Sequence, residues 1–320
     1  MLPIRTIIAL VALAGTAAQG KEFQSSDIYS SDYPTVQAVE YMGQLVRERT
    51  GGRHSITSLG QSDQDSENYT VGKLQNGTLD MARINLAVFD HMVPSAIVPS
   101  LPYLFKSTAH VRRVLDGPIG DEILADLERH GIIGLCFYDM GARSFAARKP
   151  IRNVADMQGL KVRIQQSNIW ATIVQAMGAE PVTIPIIQTY AALQTRAVDA
   201  ADSTFPAYVA SRHFEVAKFY NLTEHSMAPA VLAFSKRSWD ELSKDDQKVI
   251  RAAAKESVPY MRKQWETYEA SARKTAEAAG AQIVTDVDRK SFSDVLTPLH
   301  TVLVTDLGLQ EMVKQIQTPD

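Results

Sequence analysis

The stretch 244–279 constrains this chain more than any other. It holds few helix breakers, Ser243 stands ready as an N-cap, and Gly280 closes it. At 1.5 Å per residue such a helix runs roughly 50 Å, which exceeds the diameter of a small domain. Its apolar positions keep no clean heptad, which argues against a coiled coil. One physical solution is a helix that lies across two lobes. Pro259 falls inside the run, so a kink or a division is expected there: proline removes a backbone donor and crowds the preceding turn.

The rest of the chain alternates between two periods. Pro34–Arg49 places Val36, Val39, Met42 and Val46 at helical spacing before Gly51-Gly52. Residues 55–59 read as a strand, 67–76 as a helix ending at Gly77, and 79–84 as a strand again. Further on, 132–138 and 160–164 read as strands. A helix follows to Met177, capped by Ser167 or Asn168 and stopped by Gly178. Then come a strand at 181–184, a helix at 187–195, a strand at 198–201 and a helix at 205–216. Such alternation predicts an α/β architecture with largely parallel sheets. No low-complexity tether separates two halves, so two lobes are expected to be joined by crossing strands.

The N-terminus reads as a secretory signal peptide over residues 1–20. Arg5 is the positive region, 7–14 the apolar core, and small residues flank the cleavage point near Ala18 and Gly20. The apolar core is short of the ~20 residues a membrane span needs. No cysteine sits beside the cleavage point, so no lipid anchor is expected. The mature protein is expected in the periplasm, as a monomer not inserted in the membrane.

Composition excludes several chemistries. The 33 basic and 36 acidic residues are well mixed, net charge is -3, and no basic stretch suggests nucleic acid. The lone cysteine, Cys136, lies in an apolar run and reads as packing. None of the seven histidines forms a helical metal pair, and the acidic cluster 63–67 lacks the turn glycine of a calcium loop. No nucleotide-binding glycine loop or nucleophile elbow is present. No metal, cofactor or enzymatic activity is therefore expected. What stands out instead is a pair of arginines in apolar company. Arg143 follows Gly141, and Arg163 interrupts the strand around Val162 and Ile164. A guanidinium there needs an anion, and its planar fork matches a carboxylate. On pattern alone a surface arginine or an internal salt bridge is equally open.

At these residues the sequence resembles the substrate-binding subunit of tripartite ATP-independent periplasmic (TRAP) transporters. The resemblance runs through Gly77-Thr-Leu-Asp-Met81, Pro99-Ser-Leu-Pro-Tyr-Leu-Phe105, Gly141-Ala-Arg143, Asp156-Met-Gln-Gly-Leu-Lys-Val-Arg163, Ala192-Leu-Gln-Thr-Arg-Ala-Val-Asp199 and the segment from Trp239 to Gln247. It implies a two-lobed periplasmic-binding-protein fold with crossing strands and a long helix spanning both lobes. Lobe I would comprise 21–140 and about 229–265, and lobe II 141–228 and about 266–320. It also implies that Arg163 grips a ligand carboxylate with Arg143 assisting, and that TRAP membrane subunits are the partners. A narrower likeness is to members that bind hexuronates such as galacturonate and glucuronate. It rests on Ala82-Arg83-Ile84-Asn85, on Arg163-Ile-Gln-Gln-Ser167 and on 222–229. By that likeness Glu67, Arg83, Asn85, Gln165 and His225 contact the sugar. One departure is notable: Ser203 and Thr204 stand where such members carry two amides, with Ser203 still able to reach a ligand. Phe205 and Tyr208 are either ligand walls or packing, His225 is either a contact or a core histidine, and Tyr29 and Asp32 are first-lobe candidates. A sensory protein presenting its ligand to a membrane kinase, or a receptor for another organic acid, is the alternative reading.

Overall fold

The computed structural model describes residues 20–60, 66–305 and 307–318. All but the last residue of the expected signal peptide, and most of the acidic cluster 63–67, lie outside them. Along the chain run β1 (Lys21–Asp27), α1 (Pro34–Arg49), β2 (His54–Gly60), α2 (Glu67–Asn76), β3 (Met81–Asn85), α3 (Thr108–Leu115), α4 (Pro118–Glu128) and β4 (Ile132–Ala147). Next come β5 (Lys161–Ile164), α5 (Asn168–Ala176), β6 (Glu180–Thr183), α6 (Ile186–Gln194), β7 (Ala200–Thr204), α7 (Phe205–Ala210) and β8 (Phe219–Ser235). Then follow α8 (Lys236–Asp240), α9 (Lys244–Ala278), β9 (Gln282–Val284), α10 (Arg289–Leu296), α11 (Leu299–Thr305) and α12 (Gln310–Gln317).

The strands join in the order β2-β1-β3-β8-β4-β7-β5-β6, with β9 beside β8. The β1, β2 and β3 neighbours are parallel, as are β5, β6 and β7. Between these two parallel groups lie β4 and β8, 16 and 17 residues long and antiparallel to each other. Each belongs to both halves. The end of β8 pairs with β3 and its start with β9, while the end of β4 pairs with β7. These are the crossing strands the motifs imply. Midway the two lose register, between Asp139 and Ala142 and again between Arg143 and Phe145. Gly141 sits in the first break at φ 74°, with the Trp265 ring 3.4 Å from where a Cβ would stand. The left-handed backbone favours glycine there, while the ring stands at ordinary contact distance, and such irregularities bend and twist a strand.

The sequence reading ended the first of these strands at 138 and passed over β8. Gly141 looks like a terminator, and Asn221, Glu224, His225 and Pro229 interrupt the apolar pattern. Inside the fold the interruption is satisfied. Asn221 accepts from the Ile151 amide at 2.7 Å and donates to the Phe145 carbonyl at 3.0 Å. The expected helix 205–216 is likewise corrected. It stops at Ala210, Arg212 takes a left-handed φ of 56°, and a short 3-10 turn follows at His213–Glu215. At α5 the cap comes from elsewhere: Asp90 accepts from the Asn168 and Ile169 amides and from the Ser167 hydroxyl. Its carboxylate meets the positive end of the helix.

Helix α9 runs unbroken for 35 residues through Pro259, so the expected division does not occur. Ser243 caps it by accepting from the Asp246 amide. Packing on both halves outweighs the lost backbone bond. Ile250, Met261 and Trp265 share a core with Phe23, Met42 and Phe234, whereas Ala272 and Ala276 share another with Leu193, Tyr208 and Tyr220. Arg262 ties the helix to Asp139 of β4 and to Asp116 beyond α3, just ahead of the register break. Cys136 is buried and free, and burial pushes its thiol up to about 12, in keeping with a packing role.

Candidate functional site

Parallel strands release the chain at their carboxyl ends, and in open α/β sheets ligands bind in the crevice beyond those ends. Here β1 and β3 in one half, and β5 and β7 in the other, end around a single cavity of about 490 Å³. Tyr29 and Ser30 follow β1, Asn85 ends β3, and Ser66 and Glu67 open α2. From the other half come Arg143, Arg163, Gln165, Ser203 and Thr204. Pro185, Ile186, Ile187 and Ala207 add apolar lining, and Tyr190, Arg212 and Glu215 add polar lining.

Arg163 is 4 % exposed. Its Nε donates to the Ile184 carbonyl at 2.8 Å, and its two terminal nitrogens meet no acceptor among the described residues. Burial, aided by the charge of Arg143, brings its pKa down to about 10, so it remains a cation at neutral pH. A buried cation with an open fork demands an anion. Arg143 differs. Asp202 receives its Nε at 2.9 Å on both carboxylate oxygens, and its Nη2 as well. Burial pushes the Asp202 carboxyl upward, but Arg143, with His225 beside it, overrides that and holds it at about 2. The Arg143 guanidinium also lies 5.1 Å over the Trp170 ring. Only Nη1 remains open on Arg143 among the described partners.

The facing wall carries a third buried guanidinium. Arg83 donates to Asp27 at 2.6 and 3.2 Å and to Glu67 at 3.1 Å. Burial alone would lower its pKa, but the two carboxylates hold it above its ordinary value. Glu67 in turn accepts from the Asn85 amide nitrogen at 3.0 Å and from its side chain at 2.7 Å. Tyr29 stacks on Tyr33, 3.8 Å between centroids, and burial raises its hydroxyl to about 12, so it stays a donor. Thr204 Oγ1 is buried without a partner among the described residues.

Of the residues singled out from sequence, Arg163, Arg143, Glu67, Asn85, Gln165 and Ser203 line the cavity, and so does Tyr29. Arg83, His225 and Phe205 are not in the lining of the cavity, and of the two readings open for His225 and Phe205 their surroundings are those of packing. Arg83 is consumed by its carboxylates. His225 shares a hydrogen bond between Nδ1 and Thr223 at 2.9 Å, stacks on Phe145, and brings Nε2 within 3.3 Å of Asp202 without hydrogen-bond alignment. Burial lowers its pKa against the pull of Asp202, so it stays neutral. Phe205 packs on Tyr208 and Tyr220. Asp32 only accepts from Ser30 outside the cavity. Sequence reasoning missed Asp27 and Asp202. The signal that exposed Arg163, a charge on a strand of small and apolar residues, is present at Asp202 but not at Asp27, whose strand also carries Lys21, Glu22 and Gln24. Among the described residues no cluster of side chains could hold a metal ion.

Residues 25–305 match the family described as bacterial extracellular solute-binding protein, family 7 (DctP). The chain belongs to this family. A TRAP periplasmic solute-binding protein from Bradyrhizobium sp. BTAi1, solved with α/β-D-galacturonate, is 47% identical to this family 7 chain, with a TM-score of 0.91 over 93% of this chain and 99% of that one. A second, from Xanthobacter autotrophicus Py2 with β-D-galacturonate, is 42% identical, with a TM-score of 0.90 over 93% and 100%. A solute-binding protein of Chromohalobacter salexigens is 31% identical over 304 residues, 94% of this chain and 90% of the relative. The TRAP resemblance and the two-lobed fold expected from sequence are thus borne out. Family 7 consists of extracellular receptors, and no helix among the described residues is long and apolar enough to cross a membrane.

Proposed function

We propose that this family 7 protein captures a hexuronate in the periplasm and delivers it to TRAP membrane subunits. Arg163 would take the sugar carboxylate in both arms of its fork, and Arg143 would add Nη1. Tyr29, Glu67, Asn85, Gln165, Ser203 and Thr204 would serve the hydroxyls. The observation that carries this reading is the open guanidinium of Arg163, buried in a cavity large enough for a sugar acid. The galacturonate bound by the two similar structures supports the choice of acid. The ligand would leave unchanged, as it does from a solute-binding receptor.

Calorimetric titration of the mature chain tests this directly. Saturable binding of D-galacturonate or D-glucuronate, with none of D-galactose, is expected. Equal binding of the neutral sugar would remove the carboxylate from the recognition. Sugar acid recovered chemically altered after incubation would argue for an enzyme instead.

A further inference from the structure

The two walls of the cavity carry opposite charge. On one, Asp27 and Glu67 share the single guanidinium of Arg83. On the other, Asp202 pairs with Arg143 and leaves Arg163 without a carboxylate, while Arg212 and Glu215, also in the lining, pair with each other. His225 and His213 add no charge there. Burial lowers both, and for His213 the field of Arg163 helps bring it to about 3. The cavity is therefore a dipole, one positive charge net facing one negative charge net.

We propose that this layout restricts the site to monocarboxylic sugar acids, and that Glu67 is the residue that turns away the matching dicarboxylic acids. The inference rests on the sugar-acid reading of the site and refines it. Arg163 has one fork free, and the second edge of Arg143 is already filled by Asp202, so the positive wall accommodates one carboxylate. Across the cavity, Glu67 is held by Arg83 and by both nitrogens of Asn85, and only 11% of its side chain is exposed. It cannot swing away without abandoning those bonds. A hydroxyl at that end donates to Glu67. A second carboxylate has no proton to donate and meets a like charge where solvent screening is weak. Rejection by an unfavourable contact is a common route to specificity.

D-galactonate and galactarate separate the charge from the shape, since both are open-chain and differ only in one terminal carboxylate. The native protein and Glu67→Gln are titrated at neutral pH with both acids and with D-galacturonate. Glutamine keeps an acceptor for Arg83 and the Asn85 amide, and Arg83 retains Asp27. Native protein is expected to bind galactarate roughly 100-fold more weakly than galactonate, and the variant to recover at least about tenfold of that for galactarate. Equal native affinity for the two acids overturns the proposal. So does a Glu67→Gln protein that binds galactarate no better than the native one, whatever happens to the monoacids. Failure of native protein to bind galacturonate at all would instead strike the uronate reading, and the galactarate comparison would still stand by itself.

Discussion

Arg83 and Arg163 occupy corresponding stations in the two halves. Each is the third residue of a short strand that ends at the cavity, and each is buried. Their partners set them apart. Arg83 is saturated by Asp27 and Glu67, whereas Arg163 has one carbonyl for its Nε and an open fork. A buried charge with its counterions in place belongs to the fold. One without them is a deficit that the folded chain carries until a ligand arrives. The contrast separates residues that hold the wall from residues that hold the cargo, and it can be attacked from either side.

The largest effect is expected at Arg83. Arg83→Met strands two buried carboxylates, and loss of one partner of such a cluster typically costs about 3–5 kcal/mol. Chemical denaturation of the ligand-free protein should show a loss of that size. Arg163→Met should do the reverse. The ligand-free protein should be as stable as native or more so, because an unpaired buried cation is removed, while affinity for galacturonate falls by at least about 100-fold with the loss of two charge-assisted hydrogen bonds. A destabilised ligand-free Arg163→Met protein with retained affinity would invert the distinction.

Arg143 lies between these extremes, and pH reads out its pairing. The Asp202 carboxyl is held at about 2 in the folded protein, below the ordinary 3.8 of an unfolded aspartate. A depressed carboxyl stabilises the fold above its unfolded pKa and ceases to do so as pH falls through its folded value. Between pH 4 and pH 2 the native protein should therefore lose stability more steeply than Asp202→Asn, with the two profiles running parallel at higher pH. Thermal melts across that range would show it. Parallel profiles throughout would mean that the Arg143–Asp202 pair contributes nothing that depends on its charge.

Much of this is legible in the sequence. The long helix followed from missing breakers and two caps, and its passage through Pro259 is a tertiary effect that local sequence does not contain. Arg163 announced itself as a charge on an apolar strand. The full lengths of β4 and β8 were harder to read, because a glycine at a register break looks like an end and buried polar residues look like surface. Asn221 and His225 are polar in sequence and interior in space, and only their partners, 76 and 2 residues away, explain them. Arg83 and His225 were assigned to the ligand by the hexuronate likeness, with a core role left open for His225, and sequence does not separate the two roles. A buried polar residue near a cavity looks identical in sequence whether it faces inward or is spent on a neighbour.

Thr204 offers the finest test of that difference. Thr204 lines the cavity, and its hydroxyl is buried with no partner among the described residues, so it resembles Arg163 on a smaller scale. Thr204→Val keeps the shape and deletes the hydroxyl. In the ligand-free protein this should be neutral or slightly stabilising, because an unpaired buried polar atom costs stability. With ligand, the loss of one neutral hydrogen bond corresponds to about 1 kcal/mol, roughly a fivefold drop in galacturonate affinity. Ser203→Ala is the comparison, with a smaller loss expected, since the Ser203 hydroxyl already donates to the Thr204 carbonyl at 3.2 Å and can only accept from a ligand. If the two variants bind alike, an unpaired group in the wall does not by itself identify a ligand contact, and the weight placed on openness would rest on the arginine alone.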